Sequence, residues 1–298
     1  MTRRLLQDII LSQLNSNNAG LEELKEICGG LQHEIGELAL HDEQSQARQT
    51  LQWITKLSFG PRHQALLQLW ATDTAAWILT DPTFREWMCS SSATLWCHGS
   101  PGTGKSVIAA MVSNHLDNLI KASDSNNKLV TLYCDHGSQA SQTLDELERS
   151  IFHQILADVP KIPQQIHNLR HATREGFSPA LTDLHAVFKS CSLQIGTVFV
   201  VLDALDEAAD DVQNGILARI SALPFPDIRL LCTSRPSPQF KQIFSTNYQI
   251  QIIASNGDVE SFVRQQMQDN ARLVDIVGED TALKDVIIAT VIKKADGM

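Results

Sequence analysis

Residues 94–106 read Thr-Leu-Trp-Cys-His-Gly-Ser-Pro-Gly-Thr-Gly-Lys-Ser, an apolar run followed by GxxxxGKS. Each residue type suits the binding of a phosphate chain. Gly99, Gly102 and Gly104 let the backbone turn its N–H groups inward onto anionic oxygens, where side chains would intrude. Ser100, Pro101 and Thr103 complete the loop. Lys105 brings a cation to the β- and γ-phosphates, and Ser106 offers a hydroxyl to Mg²⁺ at the first turn of a helix whose positive end faces the anion. Val107, Ile108, Met111, Val112, His115, Leu116 and Leu119 recur at helical spacing and supply that helix. A strand before and an amphipathic helix after distinguish a P-loop from a chance glycine-rich turn. Lys105 is expected to face solvent in the empty site.

A metal held by a serine needs an acidic partner. Residues 197–207, Thr-Val-Phe-Val-Val-Leu-Asp-Ala-Leu-Asp-Glu, provide one. The β-branched apolar run has no alternation, as in a strand covered on both faces of a parallel sheet. Asp203 closes that strand where open sheets collect ligands, within reach of a Mg²⁺ shared with Ser106. Asp206 and Glu207 follow at three and four residues. They can turn back to orient or deprotonate an attacking water, or one of them can cap the helix expected from residue 209.

Asp203-Ala204-Leu205-Asp206-Glu207 resembles the Walker B segment of the NACHT branch of the STAND signalling NTPases. Ile228-Arg229-Leu230-Leu231-Cys232-Thr233-Ser234-Arg235-Pro236 is similar to that family's next strand and sensor 1, which implies that Arg235 reads the γ-phosphate. Thr74–Leu79 and Asp81–Trp87 look like the P-loop lead-in of fungal NACHT proteins linked to heterokaryon incompatibility, of the NOD-like receptor type. The resemblance covers roughly residues 50–298. It implies a three-layer α/β/α P-loop NTPase sandwich with a parallel sheet in the order 5-1-4-3-2. In such proteins a winged-helix domain and ankyrin or WD repeats follow. The sequence stops before them, which leaves open a truncated piece or a short natural module and puts tight retention of the diphosphate in doubt.

The elements that must position these residues come in alternation. Strands are expected at Thr94–His98, Lys128–His136, Thr197–Asp203, Ile228–Thr233 and Tyr248–Ile253. Helices are expected at 105–121, 141–157, 181–190, 209–223, 258–270 and 281–298, the last stopped by Gly297. Such alternation argues a parallel sheet with helices on both faces. Three segments result: a helical N-terminal extension (1–58), a helical lead-in broken at Asp81-Pro82 (59–93) and the NTPase domain (94–298). In the extension Leu21, Leu24, Cys28, Leu31, Ile35 and Leu38 form a short a/d stripe interrupted by Gly29-Gly30. Cys97-His98 and Cys134-Asp135-His136 end two strands, but their spacing matches no zinc pattern. His136 can still approach the nucleotide.

With 298 residues and 43% hydrophobic content the chain can bury a substantial core. No apolar run is long enough to span a bilayer, no secretory leader is evident at the start, and six scattered cysteines suit reduced core thiols, so a cytoplasmic location is expected. A formal charge of −10 argues against a nucleic-acid partner and for protein partners or self-association. The expected function is Mg²⁺-dependent binding and slow hydrolysis of a nucleoside triphosphate as a signalling or oligomerisation switch. ATP is preferred to GTP only because no Asn-Lys-x-Asp guanine reader is present. A non-catalytic interaction module stabilised by nucleotide is the alternative. A nucleotide kinase is weakened by the lack of an arginine-rich lid.

Overall fold

The computed structural model describes residues 34, 37, 41–71, 74–123, 125–191, 194–278 and 280–295. The leucine stripe of the extension and Gly297 lie outside them. The chain divides into two compact units, Met1–Gln52 and Trp53–Met298. Helix α1 covers residues 41–54.

Within the second unit the lead-in comprises α2 (Gly60–Leu69), α3 (Trp77–Thr80) and α4 (Pro82–Cys89). The expected break at Asp81-Pro82 is a helix start. Asp81 caps α4 by accepting from the Thr83 and Phe84 amides, and Pro82 occupies a first-turn position that needs no N–H donor. Pro61 plays the same part in α2, which begins at Gly60.

Strands β1 (Thr94–His98), β2 (Lys128–Tyr133), β3 (Thr197–Asp203), β4 (Asp227–Ser234) and β5 (Tyr248–Gln251) form one parallel sheet in the order β2-β3-β4-β1-β5, which is 5-1-4-3-2 read from the other edge. Between them run α5 (Lys105–Ala122), α6 (Leu144–Ala157), α7 (Gln164–Ala172), α8 (Leu181–Ser190), α9 (Asp210–Ser221) and α10 (Pro238–Ile243), and α11 (Asn256–Asp269), α12 (Ala271–Val277) and α13 (Thr281–Ala295) follow. Side chains alternate across the strands. Leu95, Cys97, Phe199, Val201 and Leu231 join one core with Ile108, Met111 and Leu116 of α5 and with Phe84 and Trp87 of α4. Trp96, Val200, Leu202 and Cys232, one residue out of phase, are fully buried as well. The sheet is therefore covered on both faces, and the lead-in shares its core.

Two expected strands end early. β2 stops at Tyr133 and not at His136, because side chains take over its hydrogen bonds. The Gln142 amide donates to Tyr133 O and accepts from Asp135 N, while the Asp135 carboxylate caps a 3₁₀ turn at His136–Ser138. β5 ends at Gln251, although the Ile252 amide still donates to His98 O. Helices α7, α10 and α12 were not expected from periodicity. Among the described residues no helix is long and apolar enough to cross a membrane.

Candidate functional site

β1 lies between β4 and β5, so both neighbours hold the loop that leaves it. The Gly99 amide donates to Ser234 O at 3.3 Å, and the Ile252 amide donates to His98 O at 2.7 Å. A Cβ on Gly99 would stand 2.4 Å from Ile252 O and 2.8 Å from Thr103 Oγ1, so only glycine fits there. Gly102 and Gly104 take φ of 82° and 84°, a conformation that glycine adopts without strain. Thr103 closes the turn by donating its hydroxyl to Ser100 O. Gly104 is the N-cap of α5 and has no side chain with which to cap it, so the first-turn N–H groups remain for an anion.

Lys105 does not project into solvent as expected. It is half-buried, and its Nζ donates to Gly99 O at 2.9 Å and Ser100 O at 2.8 Å. Burial lowers its pKa against the opposing pull of Asp206, Asp203 and Glu207. An ammonium needs acceptors when no phosphate is at hand, and the loop carbonyls supply them.

Asp203 is 1% exposed at the tip of β3. It accepts from Thr233 Oγ1 at 2.6 Å, and the same Thr233 oxygen accepts from the Ala204 amide at 2.9 Å. The Ser106 hydroxyl lies close to it. Burial pushes the Asp203 carboxyl up while these two hydroxyls pull it down. Ala204 then turns into the left-handed region at φ 55° and starts a 3₁₀ turn at Leu205–Glu207.

That turn carries both remaining acids. Asp206 accepts from the Arg235 amide at 2.9 Å and from Arg235 Nε at 3.1 Å, whereas Glu207 is 3.9 Å from Arg235 Nη2. Gln139 donates to Glu207 O, and Gln213 donates to the carbonyls of Asp206 and Ala208. Helix α9 begins beyond the pair, with Ala209 as its N-cap and Asp210 and Asp211 in its first turn. Neither Asp206 nor Glu207 is a helix cap. A strand–loop–helix P-loop beside a strand-terminal aspartate, in a sheet of this order, is the P-loop NTPase fold.

Residues 73–235, more than half of the chain, match the family described as nephrocystin 3, N-terminal. The chain belongs to that family. The match runs from the lead-in to Arg235. Cdc6p from Pyrobaculum aerophilum is similar at 13% identity, over 67% of this chain and 50% of that one, with a TM-score of 0.42. PCH-2 of C. elegans is similar at 15% identity over 71% and 52%, with a TM-score of 0.41. The Aeropyrum pernix ORC2 protein is similar at 13% over 72% and 53%, with a TM-score of 0.39. The chain spans about half the length of these solved structures. No curated protein matches it.

In this nephrocystin 3 N-terminal family chain the P-loop opens on its other side into a cavity of about 350 Å³. Gly102–Gly104, Ala75, Trp77, Ile253 and Phe262 are among its walls. The Ala75 amide donates to the Asp258 carboxylate, which also accepts from Ser255 Oγ, so the lead-in is tied to the first turn of α11. The other conspicuous polar residues stand apart. Cys97-His98 end β1 and Cys134 follows β2, and β3 and β4 lie between those two strands. Burial raises both thiols, Cys134 to about 12. Among the described residues His136 hydrogen-bonds Gln139, whose amide continues to Glu207 O. Thr233, Gln139 and Gln213 support the site without being expected as part of it. Only Thr233 had a signal, in the abrupt Thr-Ser-Arg-Pro end of β4.

Proposed function

We propose that the chain binds a nucleoside triphosphate with Mg²⁺ and hydrolyses it slowly, the bound state setting a signalling or self-association conformation as in the NACHT branch of the STAND NTPases. The observation that carries this reading is the convergence of Lys105, the Ser106–Asp203 pair and the Asp206–Glu207–Arg235 cluster around the open N-terminus of α5. Ser106 and Asp203 are adjacent hard oxygen donors that fit Mg²⁺. When bound, the ion would offset the charge of the phosphate oxygens.

The residues then divide the work. The amides of Gly102, Gly104, Lys105 and Ser106 hold the phosphate chain, and Lys105 exchanges the Gly99 and Ser100 carbonyls for β- and γ-oxygens. Arg235 stabilises charge on the γ-phosphate. Asp206, bound twice by Arg235, aims that guanidinium. Glu207 is the more exposed acid and is held more loosely, so it is the better group to orient water. The apolar cavity beside the loop suits a stacked base, and we assign ATP before GTP. The charge of −10 supports protein partners in the cytoplasm over nucleic acid. We retain 1–58, 59–93 and 94–298 as the functional segments.

One observation favours a non-catalytic nucleotide-stabilised module instead: Arg235 faces both acids, and a paired carboxylate is a poor base. Phosphate release under saturating Mg·ATP separates the two readings. Glu207→Gln should slow it by about 10²-fold or more with binding intact, and Asp206→Asn should slow it less. Unchanged release in both variants would leave only the binding module.

A further inference from the structure

The lead-in helix α2 brings a cation to the metal side of the P-loop. Its first turn is fixed over the end of β2: His63 Nδ1 lies 2.6 Å from Tyr133 Oη, and the rings of Phe59 and His63 stand 6.3 and 6.0 Å from that of Tyr133. One turn on, Leu66 packs with Ala110 and Tyr133, and Leu67 and Val107 lie against the same cluster. Val107 directly follows Ser106. Tyr133 is the register partner of Asp203 across the β2–β3 ladder. Helix α2 is thus anchored on α5, which carries Ser106, and on β2, the strand that pairs with the one ending in Asp203.

Arg62 sits in that turn, next to His63. It is exposed, and among the described residues its side chain makes no hydrogen bond or ion pair. Its charge nonetheless acts on Asp203, Tyr133 and Asp135, three groups at the carboxyl edge of β2 and β3. Arg235 occupies the opposite part of this edge, drawn to Asp206 and Glu207. No other group named in the site supplies a cation on the β2 side of Lys105 and Asp203.

We propose that Arg62 is a second γ-phosphate-reading guanidinium, delivered in cis by α2 across the β2 edge, so that the lead-in helix distinguishes triphosphate from diphosphate. The inference rests on the nucleotide-binding reading above. It follows from chemistry as well as placement. A planar guanidinium with free donors is matched to phosphate oxygens, and a rigid helix anchored at Tyr133 gives it a defined approach.

The test is the ratio of ATP to ADP affinity, measured in Mg²⁺ by calorimetry on the full chain, for the parent, Arg62→Ala and Arg62→Lys. Loss of a charge-assisted contact made only to the γ-phosphate should weaken ATP by about tenfold or more. ADP affinity and melting temperature should not move, and Arg62→Lys should recover part of the preference. An unchanged ATP/ADP ratio in Arg62→Ala would overturn the inference while leaving the nucleotide site intact. An equal loss of both ligands with a lowered melting temperature would also overturn it, since that marks packing of α2. A parent that binds neither nucleotide would bring down the functional reading itself, and the inference with it.

Discussion

Thr233 shows how much of the site depends on a single hydroxyl. It is wholly buried, and its oxygen both donates to Asp203 and accepts from the Ala204 amide. It therefore orients the carboxylate and starts the turn that carries Asp206 and Glu207. Thr233→Val keeps the shape and removes both bonds, which should cost about 1–3 kcal/mol. A urea midpoint equal to that of the parent would show that the hydroxyl is dispensable. At this scale the sequence was most readable where backbone geometry restricts residue type. Gly99 has a carbonyl where a Cβ would go, and Gly104 is left-handed, so GxxxxGKS records the loop almost directly. The division of labour between Asp206 and Glu207 was not readable. It depends on which carboxylate Arg235 meets, and Arg235 follows a different strand, β4.

Among the elements, β2 is an edge strand that exposes no free ladder at its centre. Gln154 accepts from the Thr131 amide and donates to the Thr131 carbonyl, and Gln142 does the same for Asp135 N and Tyr133 O. Each amide imitates the strand that is missing. Unprotected edges invite pairing with other chains. Gln154→Ala should therefore lower stability by about 1–2 kcal/mol and add concentration-dependent association, visible in urea denaturation and light scattering together. A variant as stable and monodisperse as the parent would contradict this role. Strand positions were legible because uninterrupted apolar runs such as Val198–Leu202 suit a buried parallel strand. The end of β2 was not, since glutamines nine and more residues away decide it. Helix α10 had a readable start in Ser237-Pro238, with the Ser237 hydroxyl accepting from Phe240 N. The sequence offered less for α7, whose N-cap is Pro163 without a side-chain bond.

Across the second unit, the lead-in and the sheet behave as one structure. Phe84 and Trp87 share a core with Leu95, Cys97 and Ile108, and Asp258 ties Ala75 to α11. The phosphate loop is thus held between β4 and β5, with the lead-in packed into the same core. The resemblance in the two Walker segments foretold the sheet order, because that order places the ends of β1, β3 and β4 together. It could not foretell that α2 would lie against Val107 and Tyr133, which is a matter of tertiary packing. We propose that these parts together serve a magnesium–nucleoside triphosphate held through Lys105. The direct measurement is calorimetric titration of the full chain and of Lys105→Ala with ATP in Mg²⁺. The parent should bind and the variant should lose at least about tenfold in affinity while melting as the parent does, since Lys105 contacts only loop carbonyls. Equal binding by both chains, or none by the parent, would contradict the account.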